Sequence, residues 1–308
     1  MIPEIDLGTP ASDGLDWLLE HAGGFFDAVG DVLASVVDGL SGLIETPPSL
    51  VMIVVLALIP ALARRWGIAV FSLVAFALVD AMGLWAETMQ SLAVVLVASV
   101  AAVVVGIPLG VLAARRRAVS AVLRPVLDLM QTTPPFVYLI PAVFFFGVGV
   151  VPGVVATAVF ALAPAVRLTE LGIRHVDAEV VEAAHAFGAR PGQLLRDVQL
   201  PLALPSIMAG VNQVIMLALS MVVVAGLAGA EGLGSVVTSA VTQLDIGAGV
   251  QGGLAVVVLA IYLDRVTGAL ADPRSKWSWR RRRAVARPLD DQPAAALPDE
   301  ATLVAPVR

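Results

Sequence analysis

The amino-acid sequence predicts an all-α, polytopic helical membrane protein with about seven transmembrane helices. Of its 308 residues, 58% are hydrophobic and only 14% are charged, whereas a soluble domain carries roughly 25% charged residues. Apolar segments recur along most of the chain, and most of them are long enough to cross a hydrocarbon core about 30 Å thick. The sequence has no cysteine, which excludes disulfides and thiolate metal sites.

The positions of the apolar segments and of the basic residues predict the topology. The predicted spans cover residues 49–63, 67–85, 90–113, 133–150, 152–170, 207–228 and 248–266. Basic residues concentrate after the first, third, fifth and seventh spans, as Arg64, Arg65, Arg115, Arg116, Arg117, Arg174, Arg190, Arg196, Lys276 and Arg280–Arg283. Because cytoplasmic connections are enriched in Lys and Arg, we expect an N-terminus outside and a C-terminus in the cytoplasm.

The N-terminal segment, residues 1–48, contains nine acidic residues and neither Lys nor Arg, so it lacks the basic region of a cleavable signal. Its helical spacing predicts one acidic face, formed by Glu20, Asp27, Asp31 and Asp38. A second face is apolar and contains Phe25, Val29, Val32, Val36, Leu40 and Leu43. This pattern predicts an amphipathic helix that either lies on the outer membrane surface or packs on the transmembrane bundle.

Two further segments are predicted from composition and spacing. Residues 119–131 form a moderately apolar pattern in which Arg124 and Asp128 are four residues apart, which indicates a short cytoplasmic or interfacial helix. The tail, residues 269–308, is rich in Pro, Ala, Arg and Asp and is predicted to be disordered. Within it, Arg280–Arg283 either fix the orientation in the membrane or contact anionic lipid.

The polar connection at 174–206 is the most informative part of the sequence. Residues 177–187 favour a helix, which Gly188 can end by adopting a positive φ. Pro191 suits the start of a second helix, which Pro201 and Pro205 are expected to break before the sixth span. The result is a helix-turn-helix with small residues at its tip, suited to docking in a groove of another protein. The structural alternative is an ordinary solvated loop.

The spacing within this connection resembles the signature loop of bacterial ABC importer permeases. The matching residues are Glu182, Ala183, Ala184, Gly188, Val198, Leu200 and Pro201. Residues 133–141, 167–174, 198–209 and 217–224 also resemble glycine betaine/proline-type permeases, so the resemblance extends over about 86–266. It implies a type I ABC importer permease core at 86–268 with its coupling loop at 174–206. Residues 49–85 would then form two accessory transmembrane helices.

The resemblance also implies a function. The chain would be the permease subunit of an ATP-driven importer that moves glycine betaine/proline-type osmoprotectants across the bacterial cytoplasmic membrane by alternating access. Its partners would be cytoplasmic ATPase subunits, an extracytoplasmic substrate-binding protein and a second copy of the permease, with no nucleic acid. Five residues would couple the permease to the ATPase: Glu182, Ala183, Ala184, Gly188 and Pro201.

No catalytic residue, metal site or resident cofactor is expected. The sequence lacks the Gly-x-x-x-x-Gly-Lys-Ser/Thr loop, and Lys276 is its only lysine, so ATP is expected to bind to a partner subunit. Four residues of the sixth span are candidates for lining the transport pathway: Asn212, Gln213, Ser220 and Met221. For each of them, hydrogen bonding between helices is the simpler interpretation. Since only 6% of the residues are aromatic, selectivity is expected to reside mainly in the binding protein.

Three alternatives remain. An ABC permease for another small solute, such as choline or methionine, would share every feature above. An ion-coupled secondary transporter usually places ionisable residues near the membrane midplane, whereas Asp80, Arg167 and Glu170 are predicted near the ends of spans. A membrane scaffold without transport activity would leave the spacing of the 174–206 loop unexplained.

Overall fold

The computed structural model describes residues 8–62 and 64–271, and all regular structure within these ranges is helical. The first five helices are α1 (Gly8–Glu45), α2 (Ser49–Leu62), α3 (Trp66–Ala81), α4 (Trp85–Arg115) and α5 (Arg117–Thr132). After a 3-10 turn come α6 (Leu139–Phe146), α7 (Val150–Arg174), α8 (Ala178–Ala186) and α9 (Pro191–Gln193). A π-helical segment then leads to α10 (Leu200–Ser220), α11 (Val222–Leu227), α12 (Leu233–Gln243) and α13 (Ile246–Ala271).

Fewer helices meet the length and hydropathy expected of a membrane span than the seven predicted. Within the described residues, four helices are long and apolar enough to cross a membrane: 85–115, 150–174, 191–227 and 246–269. The count rises to six if each of two bent helix pairs crosses as one span. The sequence analysis treats α2 and α3 as separate spans, but they have only 14 and 16 residues. At about 1.5 Å per residue, neither reaches across about 30 Å of hydrocarbon.

The predicted span at 133–150 is not one continuous helix. Residues 135–146 are bent by 111° from α5, and Pro134 and Pro135 lie at the break, where proline disfavours helix in the residue before it. The Tyr138 hydroxyl donates across the break to the Met130 carbonyl at 2.6 Å. The helix predicted at 119–131 is present as α5, and the bend separates it from α6.

Helix α7 lies at the centre of the bundle and approaches α4 and α10 very closely. A Cβ added to Gly106 or Gly110 of α4 would lie 2.6 Å from the Cβ of Ala165 or Thr169. Because residue numbers rise together in these contacts, α4 and α7 run parallel. On the other side, a Cβ on Gly172 would lie 2.7 Å from the Cβ of Ser206. Glycine at these positions is what allows the helix backbones to meet.

Helix α1 packs on the bundle, which is the second of the two arrangements the sequence left open. Phe26 stacks on Phe145 with ring centroids 4.3 Å apart, and Val37 and Ile44 are buried in the core. Much of the predicted apolar face points elsewhere, since Phe25, Val32, Val36 and Leu43 remain exposed. The helix therefore has two apolar faces, and the bundle covers only one of them.

Helices α2 and α3 form a hairpin that is tied to α13. The Ser49 hydroxyl donates to the Asp80 carboxylate at 3.1 Å, and Tyr262 of α13 donates to the Leu56 carbonyl at 3.0 Å. Phe76 is fully buried against Tyr262, with ring centroids 5.0 Å apart. Nearly all of the tail predicted from 269, including Arg280–Arg283, lies outside the described residues.

Candidate functional site

The predicted coupling loop lies at one end of the bundle. The C-termini of α4 and α7, the corner between α4 and α5, and α8 meet there, and we call it the basic end because Arg115, Arg116, Arg117, Arg174 and Arg190 belong to it. A groove between α8 and the last turns of α4 and α7 is lined by Arg115, Arg174, Glu182 and His185 among others. Only three residues of the chain separate the end of α7 from the start of α8.

Local sequence defines α8 as predicted. The Asp177 carboxylate accepts a hydrogen bond from the Glu179 backbone N–H at 2.9 Å, which caps the N-terminus. Gly188 has φ +79°, and its N–H donates to the His185 carbonyl at 2.9 Å, which closes the C-terminus. The predicted helix and the predicted positive φ at Gly188 are both confirmed.

The second half of the loop differs from the prediction. Pro191 starts α9 as expected, but Pro201 and Pro205 do not break the helix, which continues from residue 191 to 227. In an α-helix Pro201 would clash with the Asp197 carbonyl. The π-helical segment at 194–199 ends directly before Pro201, and its wider turn lets the chain remain helical.

Helix α8 contacts the π-helical segment but leaves most of its surface exposed. None of its residues is buried. Glu182, Ala183 and Gly188 are exposed and Ala184 is half-buried, so these four predicted coupling residues lie together. Pro201 is exposed on α10 and is separate from them. The sequence analysis missed Phe187, whose exposed fraction is 93%. An aromatic residue directly before the helix-ending glycine is the signal that could have identified it.

The base of the loop, in contrast, is firmly packed. Ile173, Ala203 and Ile207 form a buried cluster that joins the end of α7 to the start of α10. Partly buried side chains from α4, the π segment and the first turn of α10 surround the cluster: Ile107, Val111, Ala114, Leu195 and Leu200. The arrangement is an exposed helix on a rigid base, which suits docking to a partner.

Next to this base lies a polar network that the sequence analysis did not identify. Glu170 of α7 is only 7% exposed, and its Oε1 accepts a hydrogen bond from the Ser120 hydroxyl at 2.7 Å. The same oxygen lies 3.0 Å from an Arg174 nitrogen and 3.4 Å from an Arg124 nitrogen. Arg174 also donates to the Ala113 carbonyl at 2.8 Å. The sequence signal that could have identified this network is the set of charged residues at 167, 170 and 174, which lie on one face at the end of an apolar span.

The four predicted pathway residues are separated by the structure. Gln213 and Ser220 are exposed and lie seven residues apart on one face of α10. Asn212 is half-buried and donates to the Asp264 carboxylate of α13 at 3.2 Å. Met221 is fully buried and packs against Leu139, Ala142, Ala156 and Ala228. Two of the four thus face away from the chain's own core, and two are in contact with neighbouring helices.

Groups that could hold a metal ion were also sought. Among residues 8–62 and 64–271, no group of three or more His, Asp or Glu side chains is arranged to bind one. Charged side chains of the basic end instead form ion pairs between helices. Besides the Glu170 network, Arg167 of α7 contacts Asp128 of α5.

Comparisons with known proteins add an independent line of evidence. A family described as "Binding-protein-dependent transport system inner membrane component" matches residues 106–275. The chain is 48% identical over 266 residues to the glycine betaine transport system permease protein OpuAB of Bacillus subtilis (strain 168), covering 86% of this chain and 94% of that protein. It is 46% identical over 277 residues to the glycine betaine/proline betaine transport system permease protein ProW of Escherichia coli (strain K12), covering 90% and 78%.

A solved structure is also similar in fold. Inward-facing conformations of the MetNI methionine ABC transporter include a chain that aligns with a TM-score of 0.53 at 22% identity. The alignment covers 59% of this chain and 91% of that chain. At this identity the likeness concerns the fold of the helical core.

Proposed function

Because the chain belongs to the family of binding-protein-dependent transport system inner membrane components, we propose that it is the permease subunit of an ATP-driven importer for glycine betaine/proline-type osmoprotectants. The resemblance and the helical importer-permease fold predicted from the sequence are confirmed. The substrate class is supported by relatives named for glycine betaine, whose similarity extends over most of both chains.

The observation that carries the mechanism is the exposed helix α8 on its packed base. Aromatic side chains that fill a pocket on a partner dominate the energy of many interfaces. Phe187 is 93% exposed and directly precedes Gly188, which has a positive φ. We propose that α8 docks in a groove of a cytoplasmic ATPase subunit. ATP would bind to that subunit, and the role of Glu182, Ala183, Ala184 and Gly188 is to transmit motion.

The orientation follows from charge. Since cytoplasmic connections are enriched in Lys and Arg, the basic end faces the cytoplasm, where it meets the ATPase. The opposite end then faces an extracytoplasmic binding protein that delivers the solute. Gln213 and Ser220, on the exposed face of α10, would line a pathway between this chain and a second copy. Nucleotide binding closes the ATPase pair and switches the pathway between inward-facing and outward-facing states.

The test is solute uptake into proteoliposomes that contain this chain with the ATPase and binding protein that co-purify with it. We expect uptake of labelled glycine betaine that requires both ATP and the binding protein. Omission of each component is the control, and labelled choline and methionine are the comparison solutes. ATP-dependent uptake of another solute alone would overturn the substrate. Uptake that follows an ion gradient without any ATPase would overturn the importer.

A further inference from the structure

The buried carboxylate of Glu170 is the centre of a network that reaches three helices. Its Oε1 is within 3.4 Å of donors from Ser120, Arg124 and Arg174. Ser120 and Arg124 belong to α5, and Arg174 is in the last turn of α7, from which it reaches the Ala113 carbonyl of α4. The network therefore fastens the corner between α4 and α5 to the last turn of α7.

The position of this network is what makes it informative. Only His175, Val176 and Asp177 separate Arg174 from α8. Since α8 is joined along the chain to the last turn of α7, a displacement of α8 by a docked partner acts on the turn that Glu170 and Arg174 connect to its neighbours. Arg174 also lines the groove beneath α8 together with Glu182.

Helix α5 depends on this network more than the other helices do. Among its residues only Ser120 and Leu127 are buried, while Val122, Val126 and Leu129 are exposed. Helices α4, α7 and α10, in contrast, are held together by close glycine contacts along their lengths. Losing the Glu170 contacts would therefore loosen the first half of α5 without separating the central helices.

A second ion pair between α5 and α7 provides an internal comparison. Arg167 of α7 contacts Asp128 of α5, but the two side chains are 38% and 68% exposed. Exposed pairs are screened by solvent and contribute little. The Glu170 side chain is only 9% exposed, so removing its charge costs more than removing an exposed one and leaves Arg124 and Arg174 without their shared acceptor.

We propose that Glu170 is a positioning residue for transport, which makes the α4–α5 corner and the last turn of α7 move as one body when a partner displaces α8. This inference rests on the proposed function and deepens it. Because α5 continues through the bend at Pro134 and Pro135 into the apolar helix α6, the network connects the displacement of α8 to α6. A network that served stability alone would leave the number of solutes moved per ATP unchanged.

The experiment measures labelled solute imported per ATP hydrolysed, in proteoliposomes with the ATPase and the binding protein. For Glu170→Gln we expect an assembled complex with basal ATP hydrolysis, and uptake per ATP lower by about tenfold. Glu170→Asp, which keeps the charge, should recover part of the loss. The matched control is Asp128→Asn, which removes the exposed ion pair between the same two helices and should remain within about twofold of the wild type.

The outcomes separate the two proposals. If the wild-type chain shows no ATP-driven uptake of any tested solute, the proposed function fails. If the wild type transports and Glu170→Gln keeps its uptake per ATP, the positioning role alone fails. If Glu170→Gln does not assemble, Ser120→Ala decides the question, because it removes only the 2.7 Å hydrogen bond. We expect about a threefold loss of coupling there, and an unchanged ratio would overturn the proposal.

Discussion

At the basic end of the bundle the Glu170 carboxylate has three donors within 3.4 Å, whereas carboxylates crowd together at the opposite end. There Glu45, at the end of α1, lies near the carboxylates of Glu87 and Glu231. In the described part of the chain, one buried oxygen of Glu45 and one of Glu87 have no hydrogen-bond partner. The difference teaches that the buried carboxylate at one end is paired between helices, while the other end brings carboxylates together.

The largest effect is expected from disrupting the close contact between α4 and α7. In Gly110→Leu the new side chain would start 2.6 Å from the Thr169 Cβ and from the Val166 carbonyl. Overpacking at a backbone contact that cannot yield costs about 3 kcal/mol or more, so we expect little folded protein. The measurement is the yield of monodisperse protein after extraction from membranes.

The matched control for this change is Gly268→Leu on α13. A Cβ at Gly268 meets nothing within 4 Å, so the same substitution should leave the yield near that of the wild type. Equal losses in both variants would show that leucine is poorly tolerated for a reason other than the α4–α7 contact.

The next largest effect is expected at the turn that ends α8. Gly188 has φ +79°, a conformation that a β-branched residue strongly disfavours. Gly188→Val should therefore distort the end of α8 and lower ATP-driven uptake by about tenfold or more, while the protein remains folded in the membrane. Uptake into proteoliposomes and thermal stability in detergent are measured together.

Gly192→Val is the control within the same loop, since a Cβ there meets nothing within 4 Å and φ is not in the positive range. It should reduce uptake less than Gly188→Val does. Normal uptake in Gly188→Val would contradict the docking role of α8 and with it the contrast between the two ends.

A smaller effect is expected from the exposed aromatic residue at the tip of the basic end. Phe187→Ala removes apolar surface that is 93% exposed in the single chain, so folding should be unaffected. If Phe187 fills a pocket of the ATPase, its loss weakens binding by about 1 kcal/mol. The affinity of the purified ATPase for the reconstituted permease reports this change.

Leu244→Ala is the comparison for Phe187→Ala, because Leu244 is also highly exposed, at 85%, but lies outside the coupling loop. Its substitution should leave the affinity for the ATPase unchanged. An equal loss of affinity in both variants would indicate a general effect of surface apolar groups.

The smallest effect is expected for Glu45→Gln, and the same substitution should have the opposite sign at Glu170. Glu45→Gln removes one charge from the cluster with Glu87 and Glu231, so it should raise stability by about 0.5 kcal/mol. Glu170→Gln removes a paired charge and should lower stability by about 1–3 kcal/mol. Thermal midpoints in one detergent compare the two, with Glu20→Gln, an exposed position of α1, as the control. A decrease for Glu45→Gln would contradict the picture of crowded carboxylates.

Much of the coupling loop could be predicted because its structure is determined locally. The cap at Asp177, the helix-ending Gly188 and the start at Pro191 depend on conformational preferences of a few neighbouring residues. The continuation of the helix through Pro201 could not be predicted from that preference, because it depends on a π turn in the preceding residues. Phe187 was missed since an aromatic residue in a helix pattern usually indicates a buried side chain.

The sequence by itself determined the membrane class, the all-helical fold and the family-specific loop, because apolar length, charge distribution and turn residues are properties of short segments. Only the tertiary structure decided which helix faces meet. Arg124 and Asp128, adjacent on α5, find their partners Glu170 and Arg167 46 and 39 residues away. The covered face of α1 and the buried position of Met221 were decided in the same way. Such contacts depend on the relative rotation of packed helices, and the periodicity of a single segment contains no information about that rotation.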